Sequence, residues 1–344
     1  MHEIKHALFL FCYLVCEIDE LAEGKRELFF EQNIPANTTS EGMITGMAIL
    51  DEELFIVREN KSALEVYNLT SIKPEARIKT GDYNLRDICC TSTFRRVKGL
   101  GTALDICSCK VSICLYIMHE KMFCILEEVL KISKDGKVLK RWLTKDNAKG
   151  NLSVTEEGNV VITVHDKHML LEYSPEGKFL RRINLPPECM YPLHAIKVAN
   201  NQYYVSHGSL IEHVHRVCLV NGKGEVEKSF GHAIGCGDDQ LNMPYYLAVG
   251  SNGCVTVVDL FNDRLLSLNS NLKSTAKIKL PHDHGFIFPT GICQDEELLV
   301  VVVFNRAQEE KKSTKEEPEC STALMNKLED KYKLLVYAPK LLVK

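Results

Sequence analysis

Histidines and cysteines are the residues whose chemistry could support a site in this sequence, and both are frequent, with 12 His and 14 Cys. Neutral imidazole is a common metal ligand and titrates near physiological pH. However, no pair of these residues has a recognised ligand spacing, and there is no CxxC doublet. Most Cys lie in apolar runs, where a free thiol behaves as a small buried hydrophobic group. The sequence therefore predicts core thiols, no metal and no cofactor.

The overall composition is that of a soluble globular protein. Hydrophobic residues make up 45% and charged residues 26%, and the formal net charge is -4. These values exclude a chain that is disordered or embedded in a membrane throughout. No segment of the repeat region collects Lys and Arg densely enough to mark a nucleic-acid footprint. We therefore expect a monomer with a protein or peptide partner and no membrane partner.

The amino terminus leaves the cellular compartment open. Residues 7–16 are apolar and have the length of a signal-peptide core, but Glu3 precedes them, acidic residues follow at once and no cleavage site stands clearly in place. Glycosylation sequons favour secretion, and they occur at Asn37, Asn60, Asn68 and Asn151. The balance leans slightly to the cytoplasm over secretion, and residues 1–26 are predicted to stand apart from the folded domain.

An internal repeat determines the predicted fold. One unit recurs six times: an apolar strand, a polar turn, a second apolar strand, a polar connection, a third strand and a turn ending in Gly. Equivalent positions in the first strands are Ile49, Cys107, Val154, Val198, Val249 and Cys293. Their spacing of 44 to 58 residues fits blades of four strands, except at the longest step.

The turns between third and fourth strands also repeat. Each places a turn-forming residue three positions before a Gly, as a hairpin with a residue at φ > 0 requires. The pairs are Ser133 and Gly136, Ser174 and Gly177, and Asn221 and Gly224. The strands themselves contain runs of Val, Ile, Leu and Tyr that are typical of buried sheets. The sequence therefore predicts hairpins in these segments.

Two segments interrupt the repeat. LRDICC at 85–90 is echoed by ALDICSC at 103–109, so the first strand of the second unit could contain Asp87 or Asp105. The second copy fits the following hairpin better, and the segment TSTFRRVKGLG between the copies has no place in the pattern. Residues 306–330 are strongly charged, which predicts an exposed loop insertion.

A closed ring would complete the pattern. The last unit has three strands, while the apolar-alternating stretch KRELFFEQNIP before the first unit has no partner. Pairing that stretch as the outer strand of the last unit removes the unpaired edges of an open stack. The sequence therefore predicts an all-β fold over residues 27–344, a six-bladed β-propeller of four-stranded antiparallel blades closed by an amino-terminal strand.

One repeat resembles a known family. The stretch QLNMPYYLAVGSNGCVTVVDLFNDRLLSL is similar to an NHL repeat, with matches at Gln240, Leu241, Pro244, Ala248, Val249, Gly253, Val257, Asp259, Asn262 and Arg264. The neighbouring blade resembles invertebrate propellers related to the carboxy-terminal domains of tripartite-motif proteins, called TRIM-NHL-like. The resemblance covers about residues 40–340 and implies a binding propeller. It carries over no ubiquitin-ligase activity, because no zinc-binding Cys and His series lies upstream.

The propeller scheme brings most histidines to one face, where the connections into first strands and those joining second to third strands meet. The histidines on these connections are His119, His165, His168, His194, His207, His213, His232, His282 and His284. Binding residues concentrate on loops held by a rigid scaffold, so this face is the predicted functional surface. Its candidate binding residues are His165, His194, His207, His213, Tyr245, Tyr246 and Arg264. Arg264, with Asp259 and Asn262, is expected mainly to hold a turn.

Two other functions remain open. Related six-bladed rings include peptidyl-hydroxyglycine lyases, with His at matched positions leading into several first strands, and calcium-dependent lactonases. Here the matched positions hold Gly46, Asn151, His194, Tyr246 and Thr290. RNA binding by an NHL propeller needs a basic face, whereas this face mixes basic and acidic residues. The sequence therefore favours a non-enzymatic protein-interaction scaffold without catalytic residues.

Overall fold

The computed structural model describes twelve segments of the chain, which are residues 28–34, 44–58, 63–69, 92–96, 100, 102–120, 127–209, 213–250, 253–280, 285–294, 299–307 and 330–337. The predicted amino-terminal segment 1–26, the alternative strand with Asp87, His282, His284 and most of the charged insertion at 306–330 lie outside these residues. The described part of the chain contains no helix long and apolar enough to span a membrane.

Strands make up most of the described residues, with short 3₁₀ turns at 145–147, 187–189, 199–201 and 260–262. In chain order the strands are β1 (Leu28–Ile34), β2 (Ile44–Leu50), β3 (Glu53–Arg58), β4 (Ala63–Asn68), β5 (Ser92–Arg96), β6 (Thr102–Cys109), β7 (Cys114–Glu120), β8 (Glu127–Ser133), β9 (Val138–Leu143), β10 (Gly150–Val154), β11 (Val160–Val164), β12 (Met169–Tyr173), β13 (Phe179–Asn184), β14 (Pro192–Val198), β15 (Gln202–His207), β16 (Arg216–Asn221), β17 (Val226–Phe230), β18 (Pro244–Val249), β19 (Val255–Asp259), β20 (Arg264–Leu268), β21 (Ser274–Lys279), β22 (Gly285–Gln294), β23 (Leu299–Ala307) and β24 (Asp330–Tyr337).

Within the described residues these strands form six four-stranded antiparallel sheets. Five sheets are built from consecutive strands: β2 to β5, β6 to β9, β10 to β13, β14 to β17 and β18 to β21. The remaining sheet has the order β1, β24, β23, β22, with Leu28 opposite Tyr337 and Ile34 opposite Tyr332. The strand nearest the amino terminus is thus the outer strand of the last sheet, the pairing that the sequence predicts.

The predicted hairpins form where the sequence places them. The backbone N–H of Gly136 donates to Ser133 O at 2.9 Å, and Gly177 and Gly224 make the same bond within their own turns. All three glycines have φ between +76° and +91°. Glycine adopts this conformation without the steric penalty that a Cβ would bring, so these turns connect third and fourth strands tightly.

The first strands also match the prediction, with one correction. The six equivalent positions that the repeat indicates lie in β2, β6, β10, β14, β18 and β22. ALDICSC forms most of β6, which places Asp105 in a first strand. The segment TSTFRRVKGLG has no place in the repeat pattern, but Ser92–Arg96 is β5 and pairs with β4 as the outer strand of the first sheet. The sequence pattern did not predict this strand, because it contains Ser, Thr and Arg and an outer strand does not need the apolar alternation of a buried one.

The hydrophobic core lies between neighbouring sheets. Each first strand contacts the first strand of the next sheet in chain order, and β22 contacts β2. One core cluster joins Val161 and Leu170 of one sheet to Tyr203 and Val205 of the next. Four-stranded sheets that stack face to face around their first strands are the blades of a β-propeller. The chain is therefore an all-β propeller with four-stranded antiparallel blades.

Candidate functional site

The seven candidate residues differ widely in exposure. His194, His207 and Tyr246 are buried, His165, Tyr245 and Arg264 are partly buried, and His213 is exposed. A candidate surface centred on His194 and Tyr246 would therefore present little of either side chain to a macromolecule. The interior holds three of the seven, and the geometry of the first strands shows the contacts that His194 and Tyr246 make there.

A buried carboxylate, Asp105, lies at the centre of this interior. Its Oδ2 accepts the backbone N–H of Leu152 in β10 at 2.6 Å, and its Oδ1 accepts the N–H of Ile106 at 2.8 Å. The Tyr246 hydroxyl in β18 is 3.3 Å from Oδ1 and 3.4 Å from the carbonyl oxygen of Thr45 in β2. Asp105 and Tyr246 together therefore link four first strands.

The backbone of β2 must approach this carboxylate closely. A Cβ added to Gly46 would lie 2.5 Å from Asp105 Oδ1 and 2.8 Å from the backbone N of Ile106. Real Cβ atoms do not tolerate such distances, so Gly46 is required for packing rather than for flexibility. Gly46, one of the matched positions leading into first strands, thus makes room for the central carboxylate.

His194 occupies the same interior with both ring nitrogens engaged. The N–H of Leu247 donates to Nδ1 at 3.3 Å, and Nε2 donates to the carbonyl oxygen of Leu152 at 3.2 Å. Its ring lies 4.9 Å from the ring of Tyr246, centre to centre. Burial lowers the pKa of His194 to about 4, so the imidazole is neutral at physiological pH. Its hydrogen bonds leave no ring nitrogen for a ligand.

Asn151 completes this arrangement, which we call the central polar belt and define as Gly46, Asp105, Asn151, His194 and Tyr246. The Asn151 amide is buried and donates to the carbonyl oxygen of Leu193 in β14 at 2.7 Å. A glycan could not be attached to this amide in the folded chain, so the sequon at Asn151 reflects a strand contact. The belt joins β2, β6, β10, β14 and β18 by side-chain hydrogen bonds to neighbouring main chains.

The chemistry of the belt is dominated by Asp105. Burial raises the pKa of this carboxyl to about 7, although hydrogen bonds from the N–H groups of Leu152 and Ile106 and from the Tyr246 hydroxyl act in the opposite direction. A carboxyl with such a pKa can serve as an acid or a base when it reaches a substrate. Here both of its oxygens accept hydrogen bonds from the protein, which is the arrangement of a structural crosslink.

A second network lies at the rim, around Asp259 in β19. Asp259 accepts hydrogen bonds from the N–H of Asn242, from the amide of Asn262 and from Arg264 Nε, the last at 2.7 Å. Burial raises the pKa of Asp259, against the opposing effect of the nearby Arg264 charge. The carboxylate thereby orients the Asn262 and Arg264 side chains, which also contact the connection that precedes β18.

Those side chains hold residues 231–242, which we call the pinned loop. Arg264 donates to the carbonyl oxygens of Cys236, Gly237 and Gln240 at 2.8–3.2 Å, and Asn262 donates to that of Gly235 at 2.9 Å. The turn-holding role that the sequence favours for Asp259, Asn262 and Arg264 is therefore confirmed. The carbonyls they fix belong to a loop that is itself largely exposed.

His215 joins the pinned loop to the second-to-third connection of the fourth sheet. Its Nδ1 accepts the N–H of Met243 at 2.9 Å, and its Nε2 donates to the carbonyl oxygen of Ser209 at 2.9 Å. Val214 and Ala233 form a backbone bridge beside it. Two connections of the predicted functional face are thus held together as one ordered surface.

Sequence reasoning left two sets of residues without a role in a site. For Asp105, the sequence leaves open whether it or Asp87 lies in the first strand of the second unit, and it predicts no role in a site. The sequence predicts core thiols without a metal, and the structure places Cys189 and Cys218 beside His207. The place of Asp105 in a first strand of the repeat was the available signal for its role. Cys189 and Cys218 lie far apart in the sequence, so their spacing gave no signal for a cluster.

Comparison with known proteins supports the fold alone. No protein-family model and no curated protein matches the chain. Virginiamycin B lyase from Staphylococcus aureus is 11% identical with a TM-score of 0.53, and the match covers 89% of this chain and 98% of that chain. The WD40 β-propeller domain of Doa1 is 10% identical with a TM-score of 0.51, over 91% of this chain and 96% of that chain.

A third similar structure, hydrazine synthase from Kuenenia stuttgartiensis, is 9% identical with a TM-score of 0.51 and covers 77% of this chain and 94% of that chain. The class that fold and comparison define is the β-propeller proteins. A lyase, a synthase and a WD40 domain stand among the similar structures, so the architecture does not choose between catalysis and binding.

Proposed function

We propose that this protein is a non-enzymatic interaction scaffold, an NHL-like propeller that binds a protein or peptide on the face of the pinned loop. The observation that carries the proposal is the exposed loop 231–242, whose carbonyls are fixed by a buried Asp259, Asn262 and Arg264 network. A surface that is already ordered before binding loses less conformational entropy when the partner arrives. Such a loop is suited to recognition.

The proposal includes a closed ring of six blades. Two observations support closure. The pairing of β1 with β24 places both ends of the described chain in the last sheet, and β22 of that sheet contacts β2 of the first sheet. Closure would leave the pinned loop on a rigid support without free sheet edges at the ring junction. The NHL-like assignment rests on the sequence pattern between Gln240 and Arg264.

The central polar belt supports a scaffold rather than an enzyme. A catalytic acid or base must reach a substrate atom. The Asp105 oxygens, the Tyr246 hydroxyl and both nitrogens of His194 instead have protein partners. We infer that the belt stabilises the ring and that recognition takes place on exposed connections.

The exposed groups of the face indicate the kind of partner. His213, Val214, His232 and Ala233 are exposed side by side, and Asp238 of the loop forms an ion pair with Lys277. Val214 offers an apolar contact beside two imidazoles, and Asp238 and Lys277 offer charges of both signs. A protein or peptide that carries both apolar and polar groups would fit this surface. The acidic residues of the loop oppose the phosphate backbone of RNA. Among the candidate residues, we assign direct contact to His213, with Tyr245 at the margin.

The remaining candidates take part indirectly in this proposal. His194 and Tyr246 support the ring, Arg264 holds the loop, and His165 and His207 lie on or beside the second-to-third connections. We therefore place the binding surface on the predicted face but centre it on the pinned loop. The test must distinguish this face from its opposite.

Cross-linking mass spectrometry on the full chain in native lysate tests the proposed face. Lys277, which touches the pinned loop, should cross-link to the partner, whereas Lys110 should not. Lys110 lies in the turn between β6 and β7, at the opposite end of the sheets, and serves as a matched control. Cross-links concentrated at Lys110 would contradict the proposed surface.

A variant pair then tests the contact itself. Val214→Glu should weaken binding of the identified partner more than about tenfold, because a charge would enter an apolar contact. Val111→Glu, on the exposed turn between β6 and β7, should leave the affinity unchanged. If filter binding instead shows tight RNA association that weakens steeply with salt, RNA is the partner and the proposal is wrong.

A further inference from the structure

Three potential metal ligands meet between two blades. Among the described residues, Cys189, His207 and Cys218 place their ligand atoms within 4.8 Å of one another, and all three side chains are buried. This set is independent of the pinned loop and of the central polar belt, so the inference drawn from it does not depend on the proposed function.

The fold explains how distant residues come together here. In the register of β15 and β16, Val205 lies opposite Cys218 and His207 lies opposite Arg216. His207 and Cys218 are therefore diagonal neighbours on one face of the sheet. Cys189 belongs to the 3₁₀ turn that leads from β13 of one blade to β14 of the next. The cluster thus lies where the connection from β13 to β14 meets strands β15 and β16 of the fourth blade.

The histidine has its lone pair available. His207 donates a hydrogen bond to the carbonyl oxygen of Met190, whereas its Nε2 has no hydrogen-bond partner within the described residues although it is buried. The bond to Met190 therefore belongs to Nδ1 and keeps Nε2 deprotonated. Metal-binding histidines are oriented in this way, with one nitrogen on a carbonyl and the other on the metal.

We propose that Cys189, His207 and Cys218 bind a zinc ion between the third and fourth blades. Two thiolates and one imidazole are ligands that zinc prefers. Tetrahedral bonds of about 2.3 Å to sulfur and about 2.0 Å to nitrogen place such ligands about 3.5–3.8 Å apart, so the cluster needs to contract only slightly. Three protein ligands leave one coordination position for water.

Proton balance and charge also fit a buried site. Binding of Zn²⁺ to two thiols and a neutral imidazole releases two protons and gives a complex without net charge. Burial lowers the pKa of His207 to about 4, with smaller effects of the Arg216 and His215 charges, so the imidazole is not protonated at neutral pH.

Two simpler accounts compete with zinc. Buried thiols are common in hydrophobic cores, but that account leaves the buried Nε2 of His207 unsatisfied, which native structures generally avoid. A disulfide between Cys189 and Cys218 is the other. It would remove two hydrogens from the intact mass and abolish the ligands. Both accounts predict a chain without bound zinc.

Metal analysis of the full chain tests the proposal. Protein expressed with added zinc and freed of any affinity tag should contain about one zinc per chain after gel filtration. Replacement by Co²⁺ should produce a thiolate-to-cobalt charge-transfer band. Absence of zinc together with no cobalt band, or an intact mass that reveals the disulfide, would overturn the proposal.

Matched variants assign the ligands. Cys218→Ala and His207→Gln should each lower zinc affinity more than about 100-fold, since even groups that only orient ligands change affinity by about 10- to 100-fold. Cys109→Ala and His119→Gln, which alter a buried Cys and a buried His outside both the cluster and the central polar belt, should keep the zinc. Equal zinc content in all four variants would contradict the assignment. If a ligand variant fails to fold, the cobalt band of the unmodified chain still decides.

Discussion

Asp105 and Asp259 are both fully buried carboxylates, but they hold different parts of the propeller. Asp105 in β6 is bonded to the main chain of β10 and to Tyr246 of β18, and so joins separate sheets. Asp259 in β19 is bonded to Asn262 and Arg264, which hold the connection leading into their own sheet. The first network connects blades, and the second shapes one surface loop.

The electrostatic settings of the two carboxylates differ in the same way. Asp259 has the guanidinium of Arg264 at 2.7 Å, whereas Asp105 accepts hydrogen bonds from two backbone N–H groups and a hydroxyl. A buried carboxylate without a cation is costly in its charged form. We therefore expect Asp105 to affect global stability and its pH dependence, and Asp259 to affect the local order of the pinned loop.

Removing the central carboxylate should have the largest effect. Asp105→Ala is expected to lower the free energy of unfolding at pH 5 by about 3–5 kcal/mol, because two buried N–H groups and the Tyr246 hydroxyl lose their acceptor. Urea denaturation followed by circular dichroism measures this. Asp239→Ala, on the exposed pinned loop, is the control and should change little. A loss below about 1 kcal/mol for Asp105→Ala would contradict the structural role of the belt.

The effect of Asp105 should depend on pH. Its pKa is about 7 in the folded protein and 3.8 without burial, so the folded state binds the proton more tightly. The stabilising contribution of Asp105 is therefore full at low pH and falls as pH rises from about 4 to about 7. We expect the deficit of Asp105→Ala to shrink by about 2–4 kcal/mol over that range. A deficit that grows with pH would contradict this.

Glu172 should show the opposite pH dependence, because its pKa is lowered in the folded protein whereas that of Asp105 is raised. Burial alone raises its pKa, but hydrogen bonds from Asn159, Arg181, Lys197 and Tyr203 bring the pKa down to about 2. Its contribution is therefore present above about pH 4.5 and is lost as pH falls toward 2. The deficit of Glu172→Gln should shrink toward low pH, in the direction opposite to that of Asp105→Ala.

Loss of the rim network should have a smaller and local effect. Arg264→Ala is expected to lower the free energy of unfolding by about 2 kcal/mol and to make the pinned loop sensitive to limited proteolysis, because three carbonyl oxygens lose their donor. Arg182→Ala, whose guanidinium pairs with Asp146 at the surface, is the matched control. Cleavage outside residues 231–242 would show that the network is not local.

Filling the space beside Asp105 should have the smallest effect of the series. Gly46→Ala is expected to lower the free energy of unfolding by about 1–2 kcal/mol, since its Cβ would press on Asp105 and the backbone of β6. Gly291→Ala in β22 is the control, because its Cβ would meet Met47 at an ordinary 3.4 Å. Thermal unfolding of both variants measures the difference. Equal values would contradict the close approach.

Local sequence patterns predicted the hairpins and the first strands well. Each Ser or Asn placed three residues before a Gly became a turn, because the requirement for φ > 0 is met by the residues of the turn itself. The six equivalent positions also fell in first strands. The sequence did not predict the outer strand Ser92–Arg96, since STFRR lacks the apolar runs that marked the other strands.

The roles of the candidate side chains could not be predicted in the same way. Tyr246 was placed near the correct end of its strand, but its hydroxyl reaches other sheets, and that reach depends on the packing of first strands around the centre. The contact of Cys189 with His207 likewise depends on how two blades stack. A single sequence carries no direct signal for distances between repeats.

The central polar belt joins the blades, while the Asp259 network orders one loop. Hydrogen exchange followed by mass spectrometry, on Asp105→Ala and Arg264→Ala beside the unmodified chain, tests this difference most directly. We predict faster exchange in β2, β6, β10, β14 and β18 for Asp105→Ala, and faster exchange confined to residues 231–242 for Arg264→Ala. Exchange that rises only in β6 for Asp105→Ala would contradict the claim.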